Sequence, residues 1–274
     1  MNANEGETER YYDASNQRIV CLRNGRDAAF WTAHWQETLR EAPRLFANPP
    51  GFHLFVYRTR KYLTRGARVI DAGCGLACTV HALQRAGYQA YGVDFSQTTI
   101  DTVRAHWPHL HISCHDIRAL PFEDHFFDGY WSLGVIEHFY QGYDEVLAEM
   151  RRTIRPGGYL FLTFPSMTWL RRQRARAGRL PPWREDAAGL ERFYQFLLPP
   201  DQVRARVEAA GFRLVEEQGQ DCARGLKEEW PACEPLVDRL WGLPWGIGKG
   251  IALSADWLAG RWFGHISHMV FVHE

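Results

Sequence analysis

Val69-Ile70-Asp71-Ala72-Gly73-Cys74-Gly75 reads as a strand running into a glycine turn and then a helix. Glycines in such a turn let the backbone take positive φ and let a ligand approach it closely. The crevice lies at the carboxyl ends of the strands, where open α/β sheets bind ligands. Up to this point any nucleotide-like cofactor fits. Two details separate the possibilities. A dinucleotide fold places a pyrophosphate at the helix N-terminus and wants Gly-x-Gly-x-x-Gly. Cys78 stands at the third glycine position of that pattern. In addition, Asp71 opens the turn, and a carboxylate there repels a pyrophosphate and suits a ligand with a positively charged amino group. A second acid, Asp94, ends the next strand, 19 residues after Gly75. It can accept hydrogen bonds from both hydroxyls of a ribose.

Working outward, strands are expected at 68–72, 89–93, 109–115, 127–133 and 159–164, with helices at 76–86, 96–106 and 143–154 between them. This alternation predicts an α/β fold, a mostly parallel sheet with helices on both faces. Strands at 212–218 and 265–272 bring the sheet to seven. Residues 1–65 read as a separate helical segment ahead of a domain at 66–274. Phe30, Trp31, Trp35 and Leu39 carry roughly helical spacing over 26–41, and Phe52 to Leu63 forms a second helix closed by Gly66. Two insertions are expected, at about 166–200 and 221–264. The second is too long for a simple loop and reads as helical.

Five blocks carry a resemblance: Val-Ile-Asp-Ala-Gly-Cys-Gly (69–75), Gly-Val-Asp-Phe-Ser (92–96), His-Asp-Ile-Arg-Ala-Leu-Pro-Phe (115–122), Phe-Phe-Asp-Gly-Tyr-Trp-Ser-Leu-Gly-Val-Ile-Glu-His (126–138) and Ile-Arg-Pro-Gly-Gly-Tyr-Leu (154–160). In this order and spacing the chain resembles the class I S-adenosylmethionine-dependent methyltransferases, in the branch similar to ubiquinone and menaquinone biosynthesis methyltransferases. The resemblance covers roughly a third of the chain. It departs from the family at Ala77, where a third glycine is frequent. It implies a Rossmann-like fold and S-adenosylmethionine as cofactor. Gly73 and Gly75 would cradle the methionine part, with Asp71 near its amino group. Asp94 would hold the ribose, Phe95 would lie against the adenine, and Asp116 with the backbone of Ile117 would read the adenine edge. Leu133 and Gly134 would line the cofactor near its sulfonium. The N-terminal segment would fold over the cofactor as a lid, and the two late insertions would cap the substrate.

His138 follows Glu137 at the mouth of the expected site and is the candidate general base, since histidine titrates near neutrality. The competing reading is that Glu137-His138 only begins a helix and shapes the pocket. Tyr11, Tyr12 and Trp35 are candidate substrate contacts from the N-terminal segment, set against ordinary aromatic packing. Tyr194 and Phe196 are candidates from the first insertion. The run Arg171, Arg172, Arg174, Arg176 and Arg179 could grip an acidic substrate, although a charge run more often marks a solvated face. Trp230, Trp241, Trp245, Trp257 and Trp262 read as part of a pocket cap rather than as a membrane anchor.

Composition bounds the rest. Lysine plus arginine and aspartate plus glutamate are each 32, which gives no reason to expect a nucleic-acid partner. No signal peptide and no apolar run of membrane-spanning length appear, so a cytoplasmic protein without stable membrane insertion is expected. The six cysteines form no Cys-x-x-Cys pair, and free thiols and no metal site are expected. The function so implied is methyl transfer to an oxygen or nitrogen of a small molecule by in-line displacement. A carbon or sulfur acceptor, a non-catalytic cofactor-binding subunit and a nicotinamide oxidoreductase are the alternatives. The sequence leaves oligomeric state open.

Overall fold

The computed structural model describes residues 8–23, 52–241, 243 and 245–274. Strands are β1 (Glu9–Asp13), β2 (Arg18–Leu22), β3 (Arg68–Ala72), β4 (Gln89–Asp94), β5 (His111–Cys114), β6 (Phe127–Leu133), β7 (Ile154–Pro165), β8 (Phe193–Leu197), β9 (Phe212–Gln220) and β10 (Ile266–His273). Helices are α1 (Phe52–Tyr62), α2 (Cys78–Arg85), α3 (Gln97–His106), α4 (Asp144–Thr153), α5 (Trp169–Arg176), α6 (Ala187–Glu191), α7 (Pro200–Ala209), α8 (Cys222–Glu229), α9 (Glu234–Trp241) and α10 (Trp245–Phe263).

The seven expected strands form one sheet in the order β5-β4-β3-β6-β7-β10-β9. Pairing is parallel from β5 through β7, and β10 runs antiparallel to both β7 and β9. The chain moves from β3 outward to β4 and β5, then returns to place β6 on the other side of β3. This reversal opens a crevice at the carboxyl ends of the strands, beside β3. Because β10 is antiparallel, the β9–β10 connection also falls at that edge. The core beneath it is dense. Trp131 stacks on Phe161 with centroids 4.4 Å apart, and its indole N–H donates to the Thr59 hydroxyl at 3.0 Å, docking α1 on the sheet.

The N-terminal segment departs from the helical expectation. Residues 9–22 form a hairpin that pairs through β2 with β8, making a separate three-stranded sheet. The Asp13 carboxylate accepts from Asn16 N–H at 3.2 Å, the Asn16 amide at 2.8 Å and Arg18 Nε at 2.9 Å, which closes the turn. Side-chain hydrogen bonding of this kind favours a turn over a helix. The helix expected at 26–41, with Trp35, lies outside the described residues. The first insertion is likewise only partly helical, since it supplies β8 between α6 and α7. The second is helical, with α8, α9 and α10. Glycines permit its close packing: a Cβ on Gly225 of α8 would lie 1.8 Å from the Phe263 carbonyl oxygen, and one on Gly219 of β9 would lie 2.1 Å from that of Gly260.

Candidate functional site

The turn after β3 is held by backbone and by Asp94. Gly73 and Cys74 donate their N–H groups to the Val93 carbonyl at 2.7 and 2.9 Å. Asp94 accepts from Gly75 N–H at 2.9 Å and from Ser96 N–H at 3.0 Å, so one carboxylate ties the β3 turn to the β4 turn. Gly73 has φ +87°, and a Cβ there would meet Val135 Cγ2 at 2.6 Å. Ala77, the departure from the family pattern, takes the left-handed conformation that a glycine would take, at φ 54°. Ser96 caps α3 through its hydroxyl, which accepts from Thr99 N–H.

A cavity of about 1040 Å³ opens over this turn. Seven of the nine residues expected at the cofactor line it: Gly73, Asp94, Phe95, Asp116, Ile117, Leu133 and Gly134. Phe95 presents a ring 56% exposed beside them. Asp71 and Gly75 do not line it. Asp71 lies beneath the turn, 2% exposed, with Oδ1 lacking a hydrogen-bond partner, and burial pushes its pKa up to about 7. Burial raises the Asp94 carboxyl as well, opposed by the backbone N–H groups of Ser96, Gly75 and Phe95. Asp116 is ion-paired with Arg118 at 2.6 Å, which holds its carboxyl below the usual range. This donor set fits the cofactor: a carboxylate at the end of β4, an exposed ring after it, and a glycine cradle that a side chain would fill.

His138 and Tyr194 line the same cavity. The His138 Nδ1–H donates to the Tyr194 carbonyl at 2.7 Å, and the two rings meet edge-on with centroids 5.3 Å apart. A carbonyl only accepts, so Nδ1 carries the proton and Nε2 the lone pair of the neutral ring. Burial lowers the pKa of His138, which favours that neutral form. Glu137, which the sequence treated only as a neighbour of His138, is part of the cavity wall. It is 2% exposed, its Oε2 has no hydrogen-bond partner, and burial pushes its pKa up to about 8.

The remaining substrate candidates are placed elsewhere. Tyr11 packs edge-on against Trp183 and donates to Glu9 at 2.8 Å. Tyr12 belongs to a small core with Ile19, Cys21, Met167 and Leu197. Phe196 is 1% exposed, packed on Phe193 with the Arg18 guanidinium 3.6 Å above its ring. Strand alternation explains the difference. Phe196 pairs with Val20 and faces the main core, whereas Gln195 pairs with Cys21 and Leu197 with Ile19 on the opposite face. Cys21, Gln195 and Leu197 therefore line the cavity, and a register shift brings Tyr194 to it as well. Arg10, Arg23, Arg224, Glu228 and His265 complete this end. The turn-forming Asp13 and Asn16 could have marked the hairpin that carries Arg10; nothing local in the sequence marked the others.

The arginine run lies outside the cavity lining, and three of its members are held by ion pairs. Arg171 is buried and bonds Glu228 at 2.7 Å, Glu229 at 3.0 Å and the Ser166 carbonyl at 2.6 Å, fastening α8 to α5. Arg172 pairs with Asp201 and Arg174 with Glu229. Trp230, Trp257 and Trp262 are exposed and lie outside the cavity lining. All six cysteines are free, and no cluster of metal-ligating side chains occurs among the described residues. No described helix is long and apolar enough to cross a membrane.

Comparison with known proteins decides what this geometry belongs to. Residues 70–162 match a family model described as a methyltransferase domain. The chain carries a class I S-adenosylmethionine-dependent methyltransferase domain. The methyltransferase domain is similar to a probable S-adenosylmethionine-dependent methyltransferase of Mycolicibacterium smegmatis, 27% identical over 64% of this chain and 63% of that protein. It is also similar to a ubiquinone biosynthesis O-methyltransferase of Coxiella burnetii, 25% identical over 60% of this chain and 70% of that one. The chain thus spans less than two thirds of the length of the Mycolicibacterium relative. Among solved structures, the Burkholderia thailandensis 1,6-didemethyltoxoflavin-N1-methyltransferase, with S-adenosylhomocysteine bound, aligns with TM-score 0.55 over 97% of this chain and 99% of its own at 15% identity. That likeness concerns the fold, the methyltransferase domain's Rossmann-like α/β sheet.

Proposed function

We propose that this protein transfers a methyl group from S-adenosylmethionine to an oxygen or nitrogen of a small-molecule acceptor. The observation that carries the reading is the position of His138. It lines one cavity with Gly73, Asp94, Phe95, Asp116, Ile117, Leu133 and Gly134, and a backbone carbonyl fixes its tautomer. Asp94 holds the ribose hydroxyls, Phe95 lies on the adenine, and Asp116 with the Ile117 backbone reads the adenine edge. Gly73 and Gly75 shape the turn that receives the methionine part, above the buried Asp71, and Leu133 and Gly134 border the reacting sulfur. Bound S-adenosylmethionine supplies a methyl group on a positively charged sulfur.

The chain's residues then align and desolvate the acceptor, which is where much of the acceleration of such a displacement arises. His138 Nε2 takes the proton of an acceptor hydroxyl or amine. A base favours an acceptor that must shed a proton, hence oxygen or nitrogen. The cavity volume, just above the roughly 300–1,000 Å³ range of single small-molecule sites, suits a cofactor plus a small acceptor. The test compares His138→Ala with the native protein, by calorimetry with S-adenosylhomocysteine and by cofactor turnover on a panel of phenols, acids and amines. Turnover is expected to fall about 10²–10⁴-fold with cofactor affinity nearly unchanged. Equal loss of both, or loss of neither, refutes the base. Cofactor binding with no turnover on the whole panel favours a binding subunit instead.

A further inference from the structure

We infer that the acceptor carries an anionic group, a carboxylate or phosphate, and that the cavity end built by β1, α8 and the start of β10 receives it. The inference rests on the methyltransferase reading and names the substrate class of that same site.

The argument begins with charge. Arg10, Arg171, Arg174 and Arg224 converge on two carboxylates, Glu228 and Glu229. No other carboxylate pairs with these four among the described residues, so two positive charges are left unmatched. His265 adds no charge to balance, because burial lowers its pKa. Two of the four arginines, Arg10 and Arg224, line the cavity, as does Arg23. The Arg10 Nε is buried with no hydrogen-bond partner, although its Nη2 is held by Glu229. A buried guanidinium donor without an acceptor is costly unless a ligand supplies one. His265 Nδ1 lies 2.9 Å from Arg171 Nη2 and 3.1 Å from Glu228 Oε2, so the ring is held inside this ion-pair network. Guanidinium groups match carboxylate and phosphate oxygens with paired N–H bonds.

The elements that supply this end separate it from the cofactor. Every residue assigned to the cofactor lies within the matched segment at 70–162. Arg10, Arg23, Arg224 and His265 come from the hairpin and from the β9–β10 connection, outside it. His138 and Tyr194 stand on the same cavity wall system, with the Arg23 guanidinium 5.7 Å from the Tyr194 ring centroid. An anion held here by arginine leaves the rest of a small acceptor directed toward His138.

Arg224 is the residue to change, because its side chain is 60% exposed and its loss leaves Glu228 paired with Arg171. Calorimetry titrates succinate and inorganic phosphate separately into the full chain saturated with S-adenosylhomocysteine, for the native protein, Arg224→Gln and Arg224→Lys. Sodium chloride at matched ionic strength is the control. Saturable binding of at least one probe is expected, weakened tenfold or more in Arg224→Gln and largely retained in Arg224→Lys. The tighter probe identifies the group. S-adenosylhomocysteine affinity is expected to stay within threefold in both variants. Should it fall tenfold with Arg224→Gln, the cationic end serves the cofactor's own carboxylate and the inference is overturned. No saturable probe binding, or binding equal in the native protein and Arg224→Gln, overturns it too. If the native protein fails to bind S-adenosylhomocysteine, the methyltransferase reading itself fails, an outcome distinct from the others.

Discussion

Replacing Glu137 with glutamine keeps the shape of a buried side chain and removes its titration. In the folded protein burial pushes this carboxyl from an ordinary 4.5 up to about 8. A raised carboxyl pKa means the folded state binds the proton more tightly than the unfolded one. The stability it contributes is fully present below pH 4.5 and is lost as pH rises through 8. At 1.36 kcal/mol per pH unit the loss is about 3 kcal/mol at pH 7 and about 5 kcal/mol above pH 9. Glu137→Gln has no such loss. The two proteins should therefore unfold at similar urea concentrations at pH 4.5. The variant should gain progressively, by roughly 3 kcal/mol at pH 7 and roughly 5 at pH 9. Asp71, also raised by burial, titrates in both proteins and cancels in the difference. The assay is urea denaturation followed by tryptophan fluorescence at those three pH values. Stability curves that run parallel from pH 4.5 to 9 refute the neutral, buried Glu137 and with it the account of this part of the cavity wall.

Two further substitutions test the packing that shapes the site. Gly73→Ala should destabilise by about 2–5 kcal/mol, about 1–2 from the left-handed backbone and about 1–3 from the Val135 contact. Adding Val135→Ala should recover the contact share in urea denaturation, and an unchanged midpoint for Gly73→Ala alone rules out the tight turn. Gly225→Ala should cost about 3 kcal/mol or more, because its Cβ meets a backbone oxygen that no rotamer change can move. Thermal unfolding reads this directly, and a native melting temperature contradicts the close packing of α8 on α10.

The half of the cavity over the β3 turn was legible in the chain because its parts are local. Each residue there sits at the carboxyl end of a strand or on the turn that follows. A strand–turn–helix unit delivers those positions to one crevice whatever surrounds them. Gly73 and Asp94 followed from that rule, and the family resemblance added Phe95, Asp116, Ile117, Leu133 and Gly134 at strand ends of the same kind. Asp71 shows its limit: the motif names the position, but depth decides that its carboxyl lies under the turn rather than in the cavity.

The other half, lined by the hairpin, β8 and α8, depended on partners far away in the sequence. Whether Phe196 or Gln195 faces the cavity is a question of register between β8 and β2, and a period of two makes one residue of slip reverse the answer. Whether Arg171 is solvated or buried depends on Glu228 and Glu229, which reach it only once β9 and β10 have placed α8 against α5. By itself the sequence determined the sheet and its crevice, since these follow from short-range periodicity and turn chemistry, and its family resemblance marked seven of the residues that line the cavity there. Tertiary structure alone decided the hairpin's pairing, the buried acid Glu137 and the arginine-lined end, because burial and charge matching are properties of contacts that no local pattern records.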